Sequence, residues 1–187
     1  MGADSTVFVI VEQTFDDPDL YTVFLLEVKH ELTTDVTKRI ILLDDKFHFK
    51  KIYVDMTGLG AGVLDNLLEY FPEYKVEGIS FTNKIKQDMY SNLKRLLEKR
   101  KRGDSGGLHL PKKDVNELTK KLYFQLRDLK QILKKSSKGV ISVSDLKEGI
   151  ITEISHPPGG HDDYCTALGL ACLYWKEIRR KTGYGIY

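Results

Sequence analysis

Cysteine is nearly absent from this chain of 187 residues: there are two, Cys165 and Cys172. They lie seven positions apart in one apolar stretch with helical character, so they share a face. No CxxC pair and no Cys/His spacing suited to zinc occurs. The two thiols therefore read as small buried side chains in a reducing, intracellular setting. Long hydrophobic runs are also missing. No stretch approaches the roughly 18 uncharged apolar residues that a membrane span needs. The start lacks a basic segment followed by an apolar run, so no secretory signal is read. An excess of one charge is lacking too, the formal net charge being +2. Bulk charge thus gives no case for nucleic-acid binding, and such a case must come from local patches. No internal repeat or low-complexity tail is present. What remains is an ordinary globular balance, 41% hydrophobic and 30% charged, enough for one core and one domain.

Along the chain, residues 5–13 (STVFVIVEQ) are rich in β-branched side chains and read as a buried strand. Residues 14–20 (TFDDPDL) are turn formers. A second strand over 21–30 would complete an antiparallel hairpin. Thr33 or Thr34 is placed to cap a helix reaching about Asp45, with Val36, Ile40, Leu43 and Phe47 in one stripe. A short strand follows at 51–55, a glycine-rich break at 57–62 (TGLGAG), and a helix at 63–71. Then come a strand at 76–81, a long helix at 84–102, a short strand at 108–110 and a helix at 115–133. Residues 140–143 and 150–154 would pair as peripheral strands, and a last helix would run over 162–180. This order predicts an α/β domain with a mixed sheet.

Two places carry chemistry. Asp55 ends a strand directly before the glycine-rich turn, and in open α/β sheets that edge is where ligands bind. It is a candidate for holding a metal, and equally for capping the turn. The second place is Gly159-Gly160-His161-Asp162-Asp163-Tyr164. Adjacent carboxylates at a helix start satisfy free N–H groups. Yet one aspartate would be enough for that, and the glycine pair and His161 exceed what capping needs. Carboxylates converging on one sheet edge suit Mg²⁺ or Mn²⁺, which prefer oxygen ligands. A pair of such ions can hydrolyse a phosphodiester. Thr57 and His161 are candidates to orient these acids. The turn at 57–62 also resembles a phosphate-binding loop, but its glycines at 58, 60 and 62 miss the GxGxxG spacing, and no Lys-Ser/Thr ending follows.

Lys84, Lys86, Lys94, Arg95, Lys99, Arg100, Lys101 and Arg102 form a basic stretch on the long helix. It reads as a solvated face or as a DNA-backbone contact, with Lys84, Lys86, Arg95, Arg100 and Arg102 as the candidates. Tyr90 and Tyr123 fall at apolar spacing and read as core.

Together these motifs resemble the nuclease domain of phage and viral terminase large subunits. Ile52-Tyr53-Val54-Asp55-Met56-Thr57-Gly58-Leu59-Gly60 is similar to its strand-and-turn motif. Phe81-Thr82 with Lys86, Tyr90, Asn92 and Leu93 resembles its next block, and Leu108, Leu110 and Pro111 the short strand after it. Ile154-Ser155-His156-Pro157 and the segment from Gly159 to Tyr164, with an Ala/Leu-rich helix behind, resemble its end. The motifs run in family order across nearly the whole chain. The resemblance implies a ribonuclease H-like mixed sheet flanked by helices over 1–187, and a two-ion Mg²⁺/Mn²⁺ endonuclease that cuts concatemeric double-stranded DNA. It implies catalytic and metal-holding roles for Asp55, Asp162 and Asp163, with Asp4 as a further site residue. The expected partners are DNA, the terminase ATPase domain, the small subunit and the portal, in the host cytoplasm. The family's first strand, with its first acidic ligand, would precede Met1, so the sheet is expected without that strand. No Walker motif is present, so the packaging ATPase domain is not expected in this chain. The alternative expectation is a catalytically incomplete DNA-binding or docking module.

Overall fold

A computed structural model describes residues 5–58, 60–133, 152–155 and 162–175. β-branched runs open the chain as β1 (Ser5–Glu12) and β2 (Leu20–Lys29). They pair antiparallel, with a register shift between Ile10 and Val11. Asp17 shapes the turn between them, accepting the backbone N–H of Asp19 at 2.8 Å and the Tyr21 hydroxyl at 2.6 Å. Then follow α1 (Thr33–Phe47), β3 (Ile52–Asp55), α2 (Gly60–Leu68), β4 (Val76–Ile79), α3 (Asn83–Arg102) and β5 (Leu108–His109). The chain continues through α4 (Glu117–Asp128), β6 (Lys130–Leu133), β7 (Thr152–Ser155) and α5 (Asp163–Ala171). Among the described residues the strands form three groups, β1-β2-β5, β3-β4 and β6-β7. β5 lies parallel to β2, and β4 parallel to β3.

Alternation along β1 decides the layering. Val7, Val9 and Val11 pack into a core with α3 and α5, built on Met89, Leu93, Leu96, Tyr164 and Leu168. Phe8 points the other way, into a second core of Val36, Ile40, Ile52, Val54, Val63 and Leu67. Helices thus cover both faces, which is why these strands are apolar on both sides. The hairpin, the strands at Ile52 and Val76, and the long helix stand where the sequence predicts them.

Several boundaries differ. The helix expected over 115–133 is shorter at both ends. Asn116 caps it through a reciprocal pair with Thr119, so it starts at Glu117 and leaves Val115 exposed. At its other end Leu129 adopts φ −59°, ψ 120°. Lys130–Leu133 then pairs with β7, so strand pairing overrides the helical stripe there. β7 therefore has β6 as its partner, and residues 140–143 lie outside the described residues. Neither Thr33 nor Thr34 caps α1. Leu32 is the N-cap without a side-chain bond, and the Thr37 hydroxyl donates to the Thr33 carbonyl at 2.8 Å. Of the helix expected over 162–180, everything beyond residue 175 also lies outside the described residues.

The start of β5 hangs on one carboxylate. Asp19 accepts the N–H groups of Gly106 and Gly107 at 2.7 and 3.2 Å, and lies 2.7 Å from His109 Nε2. The His109 ring stacks on Tyr21 at 4.3 Å between centroids. The His109 bond, more than the two N–H groups, holds the Asp19 carboxyl below its ordinary value, against the effect of burial. A lowered carboxylate pKa contributes stability that is present above the unfolded value, about 3.9, and is lost as pH falls through the folded one. Asp19→Ala is expected to cost about 1–2 kcal/mol near neutral pH. In urea melts, the gap between wild type and variant should close as pH drops below about 4.

Candidate functional site

β3 ends at Asp55, and the ladder closes just beyond it, where Met56 N–H donates to the Ile79 carbonyl at 3.0 Å. Asp55 Oδ1 accepts the Thr57 N–H at 2.9 Å and also the Thr57 hydroxyl. Thr57 therefore orients this carboxylate, as its position two residues on suggests. The glycines behind it serve the backbone. Gly58 has φ +63°, and a Cβ on Gly60 would lie 1.6 Å from the Asp55 carbonyl oxygen. Only glycine lets α2 start this close to the end of β3.

The second acidic pair stands at the start of α5. Asp162 is its N-cap by position, but its side chain makes no capping bond. Instead Gln125 of α4 reaches over and accepts the Tyr164 N–H at 2.8 Å. The Asp162 carboxylate turns to α3. Its Oδ2 accepts the Tyr90 hydroxyl at 3.1 Å and lies 3.7 Å from Lys86 Nζ. The Tyr90 hydroxyl is also 2.9 Å from the Thr166 hydroxyl. Burial first, and the nearby Asp162 charge with it, push the Tyr90 phenol well above its ordinary pKa. Tyr90 thus stays a neutral donor across the working pH range. Lys86 also lies 5.4 Å from the centre of the Phe81 ring, which helps to hold its ammonium near the acids.

Asp55, Thr57, Lys86, Asp162 and Asp163 line one cleft of about 850 Å³. Carboxylates more than a hundred positions apart in the sequence thereby line the same cleft. Their oxygen donors suit a hard divalent cation. Among the described residues, however, no three His, Cys, Asp or Glu side chains gather closely enough to hold an ion. Asp4 and His161 lie outside the described residues.

The basic candidates disperse. Lys84 and Arg100 are exposed, and Arg102 pairs with Asp104 at 2.9 Å. Arg95 donates to Asn92 at 2.7 Å, and the buried Asn92 donates to the Cys172 carbonyl at 3.1 Å. This places Arg95 in a brace between α3 and α5. Lys86 and Arg100 are separated by about 21 Å of helix, so one end of α3 reaches the acids and the other does not. The spacing of Tyr90 marks it as core, and its ring is buried. What that reading missed is the hydroxyl on Asp162. The signal was available: Lys86 and Tyr90 are four apart and share a helix face.

Tyr90→Phe leaves the ring in place and removes the hydroxyl that donates to Asp162 and bonds to the Thr166 hydroxyl. Thermal or urea unfolding should show a loss of about 1–2 kcal/mol, whereas an unchanged stability would mean that the hydroxyl does not hold the start of α5.

No protein-family model matches the chain, and no curated protein matches it either. Solved structures do. The large terminase nuclease from thermophilic phage G20c superposes with a TM-score of 0.63 at 18% identity, over 91% of this chain and 75% of that one. The nuclease domain of the large terminase subunit gp2 of bacterial virus Sf6 superposes with a TM-score of 0.54 at 14% identity, over 91% and 88%. At this identity the likeness concerns architecture: the chain has the ribonuclease H-like fold of phage large-terminase nuclease domains, a mixed sheet flanked by helices.

Proposed function

We propose that this chain is a divalent-metal-dependent endonuclease domain of a viral genome-packaging terminase, acting on concatemeric double-stranded DNA. The observation that supports the reading is that Asp55 from the end of β3 lines the same cleft as Asp162 and Asp163 from the start of α5. It occurs in a fold shared with two terminase nucleases. In this reading Asp55, Asp162 and Asp163 hold Mg²⁺ or Mn²⁺, two ions in all, with Asp4 at the border. The bound ions would supply a polarised water and a counter-charge to the phosphate.

The chain's own residues set the stage. Thr57 keeps Asp55 in one rotamer, and Tyr90 does the same for Asp162. Lys86 offsets part of the acidic charge and stands ready for a phosphate oxygen beside it. Lys84, two residues before Lys86 and exposed, extends the contact along the DNA backbone, and Arg100 and Arg102 serve a more distant stretch of it. His161 would orient an acid or touch phosphate. The ATPase domain, small subunit and portal of a packaging motor are the protein partners, and the host cytoplasm is the setting. Among the described residues no helix is long and apolar enough to cross a membrane.

A second reading is a DNA-binding or docking module without its own cutting activity. It is favoured by the lack of a three-ligand cluster among the described residues. A plasmid-nicking assay with Mn²⁺ or Mg²⁺ separates the two. The first reading expects nicking that falls more than about 100-fold in Asp55→Ala or Asp162→Ala, since even outer partners of metal sites cost about 10–100-fold. DNA retention without cutting at any metal level selects the second. Neither cutting nor retention contradicts both.

A further inference from the structure

α3 sends two side chains to one oxygen. Lys86 and Tyr90 are four positions apart and share a face of the helix. Asp162 Oδ2 accepts the Tyr90 hydroxyl at 3.1 Å, and the Lys86 ammonium stands 3.7 Å away. The two contacts differ in kind. The Tyr90 ring is buried, and its hydroxyl bonds a second time, to the Thr166 hydroxyl at 2.9 Å. Packing fixes that donor. The Lys86 side chain is 36% exposed, and 3.7 Å is longer than the roughly 2.7–2.9 Å of a charge-assisted hydrogen bond. Its ammonium also lies 5.4 Å from the centre of the Phe81 ring, a contact that attracts a cation without fixing its direction. Lysine is a point charge on a flexible four-carbon stem, so it can leave one acceptor for another while the backbone stays in place.

Lys86 is also the lysine at the acidic end of the cleft. Lys50 and Lys51 line the cleft too, but both precede β3, and Lys51 stands about 13 Å from Asp55 along the strand. Lys51 is moreover engaged by Glu77 at 2.8 Å. Among the described lysines that line the cleft, Lys86 thus supplies the counter-charge of Asp162. An ammonium this close to a carboxylate competes with any other cation for it. A single and a double positive charge about 5 Å apart repel by about tenfold in affinity even at the screening of bulk water.

We propose that Lys86 is an exchangeable counter-ion that regulates the acidic site. It pairs with Asp162 while that carboxylate holds no divalent cation, and leaves it for a phosphate oxygen of bound DNA once the carboxylate is so engaged. Tyr90 keeps the carboxylate oriented throughout. Cation and DNA are then coupled ligands, each favouring the other through one side chain. This rests on the metal-dependent reading of the acids above. It carries a sign that loss of a ligand or of a structural contact does not share: removing Lys86 should tighten cation binding.

Lys86→Met keeps the apolar stem and removes the charge, and Lys86→Gln is a second variant. Mn²⁺ titration followed by electron paramagnetic resonance of the free ion reads cation affinity. Fluorescence anisotropy of a labelled phosphorothioate duplex, with and without Mn²⁺, reads the coupling. Both variants should bind Mn²⁺ at least about threefold tighter than wild type, and the gain in DNA affinity that Mn²⁺ brings should shrink at least about threefold. Lys120→Met on α4, with the same change of net charge, should alter neither. In lysine-labelled wild type, the Lys86 side-chain signal, assigned by its loss in the variants, should shift on addition of Mg²⁺. If wild type binds Mn²⁺ and the folded variants bind it equally or more weakly, or keep the full gain in DNA affinity, the proposal is overturned and the metal reading stands. Absence of Mn²⁺ binding by wild type and variants alike overturns both.

Discussion

The contact between α5 and α3 is the constraint on which the rest depends. α5 buries Tyr164, Cys165, Leu168 and Cys172 almost completely. It approaches α3 so closely that a Cβ on Gly169 would stand 2.8 Å from Met89. Asn92 ties the far end of the contact by donating to the Cys172 carbonyl. The two thiols are part of this packing. Burial pushes Cys172 up to about 12, and Cys165 upward as well, so both remain protonated and apolar in effect. Because the helices lie this close, the Asp162 carboxylate at the start of α5 falls within reach of Tyr90 and Lys86 on α3.

That proximity explains how an acidic wall is tolerated in a folded domain. Adjacent carboxylates repel, and burial disfavours their charge. Here Asp162 receives a hydroxyl donor and a nearby ammonium, while Asp55 receives a backbone N–H and a hydroxyl from Thr57. The start of α5 does not consume Asp162 as a cap, because Gln125 of α4 takes an N–H there. Asp162 is therefore oriented by neighbours on α3 and Asp55 by the turn residue behind it, and both line the cleft.

Much of this was legible in the sequence, and the exceptions have physical causes. Period-two alternation in STVFVIVE and the strand–glycine–helix pattern around Asp55 are local signals; β1 and β3 form as read, while α2 begins at Gly60, inside the stretch read as a break, and ends at Leu68. The start of α5 was legible through its paired acids. The fate of residues 130–133 was not, because a leucine stripe fits a helix until a remote strand claims it. Nor was the turn of Arg95 inward, where it donates to Asn92, itself held by the Cys172 carbonyl. Tyr90 shows the same limit at the site. Its spacing marks a buried ring, and only the fold shows which acid its hydroxyl meets. Local chemistry writes the elements, while long-range partners decide which polar groups act.

The central claim is that Asp55 and the Asp162-Asp163 pair form one cation-binding wall. Direct titration of Mn²⁺ into the protein, followed by electron paramagnetic resonance of the free ion, tests it without reference to any substrate. The account predicts saturable Mn²⁺ binding that weakens at least about tenfold in Asp55→Ala and again in Asp162→Ala, with each variant still folded. No Mn²⁺ binding by the wild type, or equal binding by both variants, would contradict it.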